Sequence, residues 1–215
     1  MQQPNWWKVP RDHEGKTIHI LGGGPSLRFI DFRSLEGRVC IAINRSFIFA
    51  PWADIVYFCD RRWWQLDASE LLQHFTGRYI VTISGVCDPR VKNLRNTGNR
   101  GLEASPFGLK FGGNSGYQAI NLAVHLGAKN IVLHGYDLKT EGLRTHGHQG
   151  YSTPGLGEKA YECRITSALE RFKIAFPMLV QPLKKAGVSV YNANPDSALN
   201  CFPKITFEQA LELGS

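Results

Sequence analysis

The sequence predicts a Rossmann-like α/β fold: one mostly parallel sheet with helices on both faces. Three observations predict it. Short, continuous apolar runs alternate with stretches of helical spacing, the pattern of βαβ units. The runs are apolar throughout rather than alternating, which suits strands covered on both sides. Most of them stop at Gly, Asn or Asp, and a glycine-rich turn follows the first.

In chain order, Thr17–Leu21 is the first strand, and it ends at Gly22-Gly23-Gly24-Pro25-Ser26. A short helix from Leu27 is expected next. Val39–Ile43 is a second strand, stopped by Asn44; Asp54–Cys59 a third, stopped by Asp60; and Arg78–Thr82 a fourth. Trp63–Phe75 carries helical spacing through Trp64, Ala68, Leu71, Leu72 and Phe75. Ser115–Leu126 reads as a helix capped by Ser115 and ended by Gly127. Asn130–His134 is a strand leading into Gly135-Tyr136-Asp137. A long helix is expected from Glu158 to Phe176, with breaks at Pro177 and Pro182. Val188–Tyr191 is the last strand, and Thr206 caps a terminal helix to Leu213. Residues 1–215 thus form a single domain, with an N-terminal arm at 1–15 and irregular loops at 87–113 and 138–157.

The chain has 215 residues, 43% hydrophobic and 20% charged, an ordinary globular balance. No apolar run approaches the roughly 20 residues that span a bilayer, and Met1–Trp7 lacks the apolar core of a signal peptide. A cytoplasmic protein is expected. The five cysteines are scattered and never paired as C-x-x-C, so neither a disulfide framework nor a zinc site is indicated. Cys40 and Cys59 read as small hydrophobes in strands. The net charge of +7 favours anionic partners, nucleotides and nucleic acid among them. Trp63-Trp64 beside Arg61-Arg62 would stack bases if exposed, and is core otherwise.

Chemistry concentrates at the predicted strand ends. Glycines after a strand let the backbone approach an anion, and N–H groups at a helix start favour phosphate. Gly22, Gly23, Gly24, Pro25 and Ser26 form one such turn, and Gly112-Gly113-Asn114-Ser115-Gly116 a second. Leu27 stands where the dinucleotide fingerprint has its third glycine, and the Lys-Ser/Thr ending of a P-loop is missing. Asn44, Asp60 and Asp137 sit at carboxyl ends of strands, where open α/β sheets bind ligands, or else serve as turn residues. His146 and His148 lie in the glycine-rich loop beyond Asp137, where a neutral imidazole can act as a general base.

Leu-Gly-Gly-Gly-Pro-Ser-Leu at 21–27, Asn44, Asn-Ser-Gly at 114–116, His-Gly-Tyr-Asp at 134–137 and Asn-Pro-Asp-Ser at 194–197 occur in one order. In that order they resemble the bacterial sialyltransferases of glycosyltransferase family 42. They also resemble the wider sialyltransferase-like group of bacterial and phage proteins, related to the archaeal 6-hydroxymethylpterin diphosphokinase type. The resemblance covers about residues 17–200 and implies a sialyltransferase-like, GT-A-variant domain.

It further implies a nucleotide-sugar-dependent glycosyltransferase with a CMP-sugar type of donor and no obligatory divalent ion. Gly22, Gly23, Gly24, Pro25, Ser26 and Asn44 would contact the nucleotide. Asn114, Ser115 and Gly116 would contact the sugar or phosphate, Gly135 and Asp137 the ribose or base, and His148 or His146 would be the base. The chain departs from the family at Asp60, where an asparagine is usual, and its phosphate-binding tyrosines have only Tyr151 as a counterpart. Two alternatives stand beside this reading. One is a pyrophosphoryl-transfer enzyme using Mg²⁺ on Asp60 and Asp137; the other is a non-catalytic nucleotide- or nucleic-acid-binding protein.

Overall fold

A computed structural model describes residues 5–140 and 158–214, with side chains from Ile165 onward in the second stretch. Seven parallel strands form one sheet. They are β1 (Thr17–Leu21), β2 (Val39–Ile43), β3 (Ile55–Phe58), β4 (Tyr79–Thr82), β5 (Val91–Asn93), β8 (Asn130–His134) and β9 (Ser189–Asn192). A parallel pair, β6 (Arg95–Asn96) and β7 (Gly108–Leu109), stands apart. The sheet order is β5-β4-β3-β2-β1-β8-β9, with every neighbour parallel. The chain winds outward from β1 to β5 and then returns to the other side of β1. The order therefore reverses between β1 and β8, and a crevice opens beyond their carboxyl ends.

Period-two alternation within apolar strands feeds two cores. Ile18, Ile20, Ile41, Ile43, Ile55, Tyr57, Ile131 and Leu133 face one side. There they meet α2 (Ser115–His125), α3 (Glu158–Ala175) and α4 (Pro177–Lys185) through Tyr117, Ile120, Phe172 and Leu179. Leu21, Cys40, Ala42, Val56, Phe58 and Ile80 face the other side. They meet α1 (Arg61–His74) through Trp63 and Leu71, and α5 (Phe207–Glu212) through Phe207 and Leu211.

Local differences from the sequence expectation have local causes. After the glycine turn there is no α-helix but two 3₁₀ turns, Pro25–Phe29 and Phe32–Leu35, split where Asp31 accepts from the Arg33 N–H. Asn114, not Ser115, caps α2: its Oδ1 accepts from the Tyr117 N–H at 2.8 Å. Pro177 opens α4 rather than only ending α3, and Pro182 sits inside α4 without breaking it. Residues 87–113 hold three short strands. Trp7 donates its N–H to the Asn93 carbonyl at 2.9 Å, so the N-terminal arm covers the sheet edge at β5. Among the described residues no helix is long and apolar enough to cross a membrane.

Candidate functional site

Three loops converge, two of them at the carboxyl ends of β1 and β8. The turn after β1 is tied to the loop after β8 by backbone bonds, Gly22 N–H to His134 O (2.7 Å) and Gly24 N–H to Gly135 O (2.8 Å). Side chains reinforce it: Asp137 accepts from Ser26 Oγ at 2.8 Å, from the Ser26 N–H at 3.2 Å and from Asn194 Nδ2 at 2.9 Å. A Cβ on Gly24 would collide with the Asp137 carboxylate and lie 2.6 Å from the Gly135 carbonyl, so only glycine passes there. The third loop opens α2. Tyr136 donates its hydroxyl to the Gly116 carbonyl at 3.1 Å, and Ser115 donates its hydroxyl to Cys59 Sγ at 3.1 Å. Burial pushes the Tyr136 phenol and the Cys59 thiol up, which keeps both protonated at neutral pH.

Between these loops lies a cavity of about 390 Å³, within the range of small-molecule sites. Of the residues singled out from sequence, Gly22, Gly23, Gly24, Asn44, Asp60, Asn114, Ser115, Gly116, Gly135 and Asp137 all line it. Asn44 adopts a left-handed backbone, φ 51°, which asparagine tolerates better than most residues. Asp60 caps α1, Oδ1 accepting from the Arg62 N–H at 2.8 Å.

The remaining expectations fare differently. Pro25 is buried and Ser26 spends its hydroxyl on Asp137; neither lines the cavity. Asp137 lines it but is 4% exposed and holds Ser26 and Asn194, so its main work is to fasten the turn. His146, His148 and Tyr151 lie outside the described residues. Trp63 and Trp64 are not an exposed stacking platform. Trp63 is 4% exposed, and Trp64 is half-buried with its ring stacked on Phe58 at 5.4 Å. Cys59 falls just beyond β3, and so lies on the cavity wall rather than in a strand.

Sequence reasoning missed several lining residues. From sequence Trp63 reads only as core or as an exposed stacking platform, not as a cavity-lining residue. Lys139 is the single cationic side chain among the described lining residues, and it stands just after Leu138, itself at φ 47°. Its position two residues past Asp137 was the available signal. Leu169, Phe172 and Phe176 supply an apolar wall, with Phe176 edge-on to Tyr136 at 5.8 Å. They are far from the strand ends in sequence, and only the packing of α3 and the start of α4 brings them in.

No family model matches the sequence, and no curated protein does. Among solved structures the chain is similar to the sialyltransferase CstII from Campylobacter jejuni in complex with the substrate analogue cytidine-5′-monophosphate. The TM-score is 0.54 at 17% identity, over 94% of this chain and 88% of that one. A second structure of CstII, in complex with CMP-3FNeuAc, matches with a TM-score of 0.49 at 16% identity, over 89% and 85% of the two chains. The fold is sialyltransferase-like. At that identity the likeness speaks for the fold alone, and the cavity must speak for the chemistry.

Proposed function

We propose that the cavity binds a nucleotide by its phosphate and that the protein is a nucleotide-sugar-dependent glycosyltransferase. One observation carries the reading: the glycine turn after β1, the N-terminus of α2 and Lys139 all line one cavity at the reversal of strand order. The Gly23 N–H, which takes no part in the backbone bonds that tie Gly22 and Gly24 to the loop after β8, and the start of α2 concentrate positive potential, and a lysine ammonium adds a full charge. CstII, which shares the fold, was solved with cytidine-5′-monophosphate, and that supports a nucleotide as the ligand here.

In glycosyl transfer the acceptor hydroxyl attacks the anomeric carbon of the donor. The bond from that carbon to the phosphate oxygen breaks, and the electron pair leaves on the nucleotide phosphate. Lys139 and the α2 N-terminus would stabilise that leaving charge. His148, or else His146, would take the acceptor proton. The pyrophosphoryl-transfer alternative needs carboxylates free for Mg²⁺, and the bonds from Ser26 and Asn194 to Asp137 weigh against it.

A thermal-shift series with nucleoside monophosphates and nucleotide sugars tests the proposal. A ligand bound only to the folded chain raises its midpoint. No shift with any nucleotide at millimolar concentration removes the reading.

A further inference from the structure

The ring of Tyr136 stands between the glycine turn after β1 and the first turn of α2. The residue is buried, and its carbonyl accepts from the Ser197 hydroxyl at 2.6 Å, so the loop after β9 holds it in place. A Cβ on Gly22 would lie 3.0 Å from ring carbon Cδ2. A Cβ on Gly116 would lie 2.9 Å from Cε1 and 3.2 Å from Cζ. Cδ2 and Cε1 are opposite corners of the ring, so one side chain reaches from one turn to the other. Its hydroxyl then donates to the Gly116 carbonyl at 3.1 Å. Neither glycine has a left-handed backbone. At Gly116 the ring, together with the capping Oδ1 of Asn114 at 3.0 Å, excludes a side chain; at Gly22 the Gly135 carbonyl at 2.7 Å does so as well. The same two turns carry spare donors. The N–H groups of Gly23, Ser115 and Gly116 donate to no acceptor among the described residues, as first-turn helix amides commonly do not. All three residues line the cavity.

We infer that Tyr136 is a positioning residue: its ring sets the gap between the glycine turn and the start of α2, so that the spare N–H groups of both address one phosphate. The inference rests on the nucleotide reading above. An anion held by two separate backbone segments depends on their spacing, because a hydrogen bond weakens steeply away from its narrow range of distance and angle. The bonds from Ser26 to Asp137 fasten the glycine turn to the loop that carries Tyr136. The ring carries that alignment across to α2, where the hydroxyl bond fixes the first turn of the helix. Tyr136 makes no bond to the ligand in this account, since its hydroxyl is spent on Gly116. Gly116 is glycine because the ring and the helix cap leave no room for a side chain, rather than to let an anion approach.

The probe is cytidine monophosphate. Its affinity is measured by calorimetry for the parent, Tyr136→Leu, Tyr136→Phe, Gly116→Ala and the Tyr136→Leu/Gly116→Ala pair, with urea midpoints in parallel. The backbone ¹⁵N–H resonances of Gly23 and Gly116 are followed in the parent and in Tyr136→Leu. Leucine ends where the ring's Cδ atoms stand, so it keeps the contact near Gly22 and loses the one with Gly116; phenylalanine loses only the hydroxyl bond. Both amide resonances should move on saturation of the parent. Tyr136→Leu should weaken binding about tenfold, the scale of one net hydrogen bond, and its Gly116 resonance should no longer respond. Tyr136→Phe should weaken binding less. Gly116→Ala should weaken it in the parent and cost less in the Tyr136→Leu background, the coupling expected of residues in contact. If Tyr136→Leu does not fold, a lower affinity in folded Tyr136→Phe and folded Gly116→Ala supports the inference, and parent affinity in both overturns it. A folded Tyr136→Leu that binds as the parent does, with both resonances responding, makes the ring core packing only and leaves the nucleotide reading standing. So does a parent in which cytidine monophosphate moves only one of the two resonances. If the parent binds no nucleotide, the reading falls and the positioning role with it.

Discussion

The hydroxyl of Ser26 donates to Oδ2 of Asp137 at 2.8 Å, and this bond joins the turn after β1 to the loop after β8 where the strand order reverses. Asp137→Ala would leave the Ser26 N–H, its hydroxyl and the Asn194 amide without their acceptor. The expected loss is about 3 kcal/mol of unfolding free energy, the range for removing a buried charged acceptor. Urea unfolding checks it. Gly24→Ala should be destabilising for the converse reason, since its methyl would enter the space that the Asp137 carboxylate holds.

A second pair sets the response to acid. His19 Nδ1 and His134 Nε2 lie 3.0 Å apart on neighbouring strands, fully buried. Burial, with a smaller push from Arg38, lowers His19 from 6.5 to about 4; burial, with His19 beside it, holds His134 well below 6.5. The unfolded chain therefore takes up these protons first as pH falls. Stability from the neutral pair is intact above pH 6.5 and drains away between 6.5 and about 4. For His19 alone the loss is about 3 kcal/mol. His19→Gln should flatten the fall in urea midpoint across that window; an unchanged profile would show that other groups govern it.

Lys139 should matter for affinity and not for the fold. Its side chain is exposed, in a loop that lines the cavity. Lys139→Met is expected to weaken binding of a nucleoside monophosphate about tenfold, as for loss of one charged hydrogen bond. The salt dependence of binding should become shallower too, because one screened charge pair is gone. Isothermal titration at two salt concentrations measures both effects.

The strands and the two glycine turns were legible because their signals are local. A continuous apolar run stopped by Asn44 or Asp60 needs no knowledge of the rest of the chain. That Gly22–Gly24, Asn44 and Gly135 would share a cavity was legible too, since parallel strands bring their carboxyl ends to one edge; Asn114–Gly116 join them from a helix start that follows the separate β6-β7 pair. Trp63 and Phe172 were not legible as lining residues, because helix packing decides which face of α1 and α3 meets the crevice. The role of Asp137 was half legible. Its place at a strand end is local, whereas its bonds to Ser26 and Asn194 join residues far apart in sequence. The short strands at 91–96 escaped because they are edge and accessory elements of two or three residues, too brief for any periodicity.

Loss of the proposed base should separate rate from affinity. His148→Ala is expected to lower transfer or donor hydrolysis by roughly 10²–10⁴-fold, the usual contribution of a positioned base. Nucleotide affinity should stay near that of the parent. His146→Ala distinguishes the two candidates. If both variants keep full turnover, neither is the base; if both lose affinity instead, the histidines are ligand contacts.

The central claim is that a nucleotide phosphate sits on the glycine turn. Gly23 lines the cavity and is not among the glycines with a left-handed backbone, so a β-branched side chain can replace it without backbone strain. Titration calorimetry of cytidine monophosphate against the parent chain and Gly23→Val, with urea midpoints in parallel, addresses the claim directly. Saturable binding by the parent, lost in Gly23→Val at an unchanged midpoint, is the predicted result. Equal binding by a folded Gly23→Val, or no binding of any nucleoside monophosphate by the parent, would contradict it.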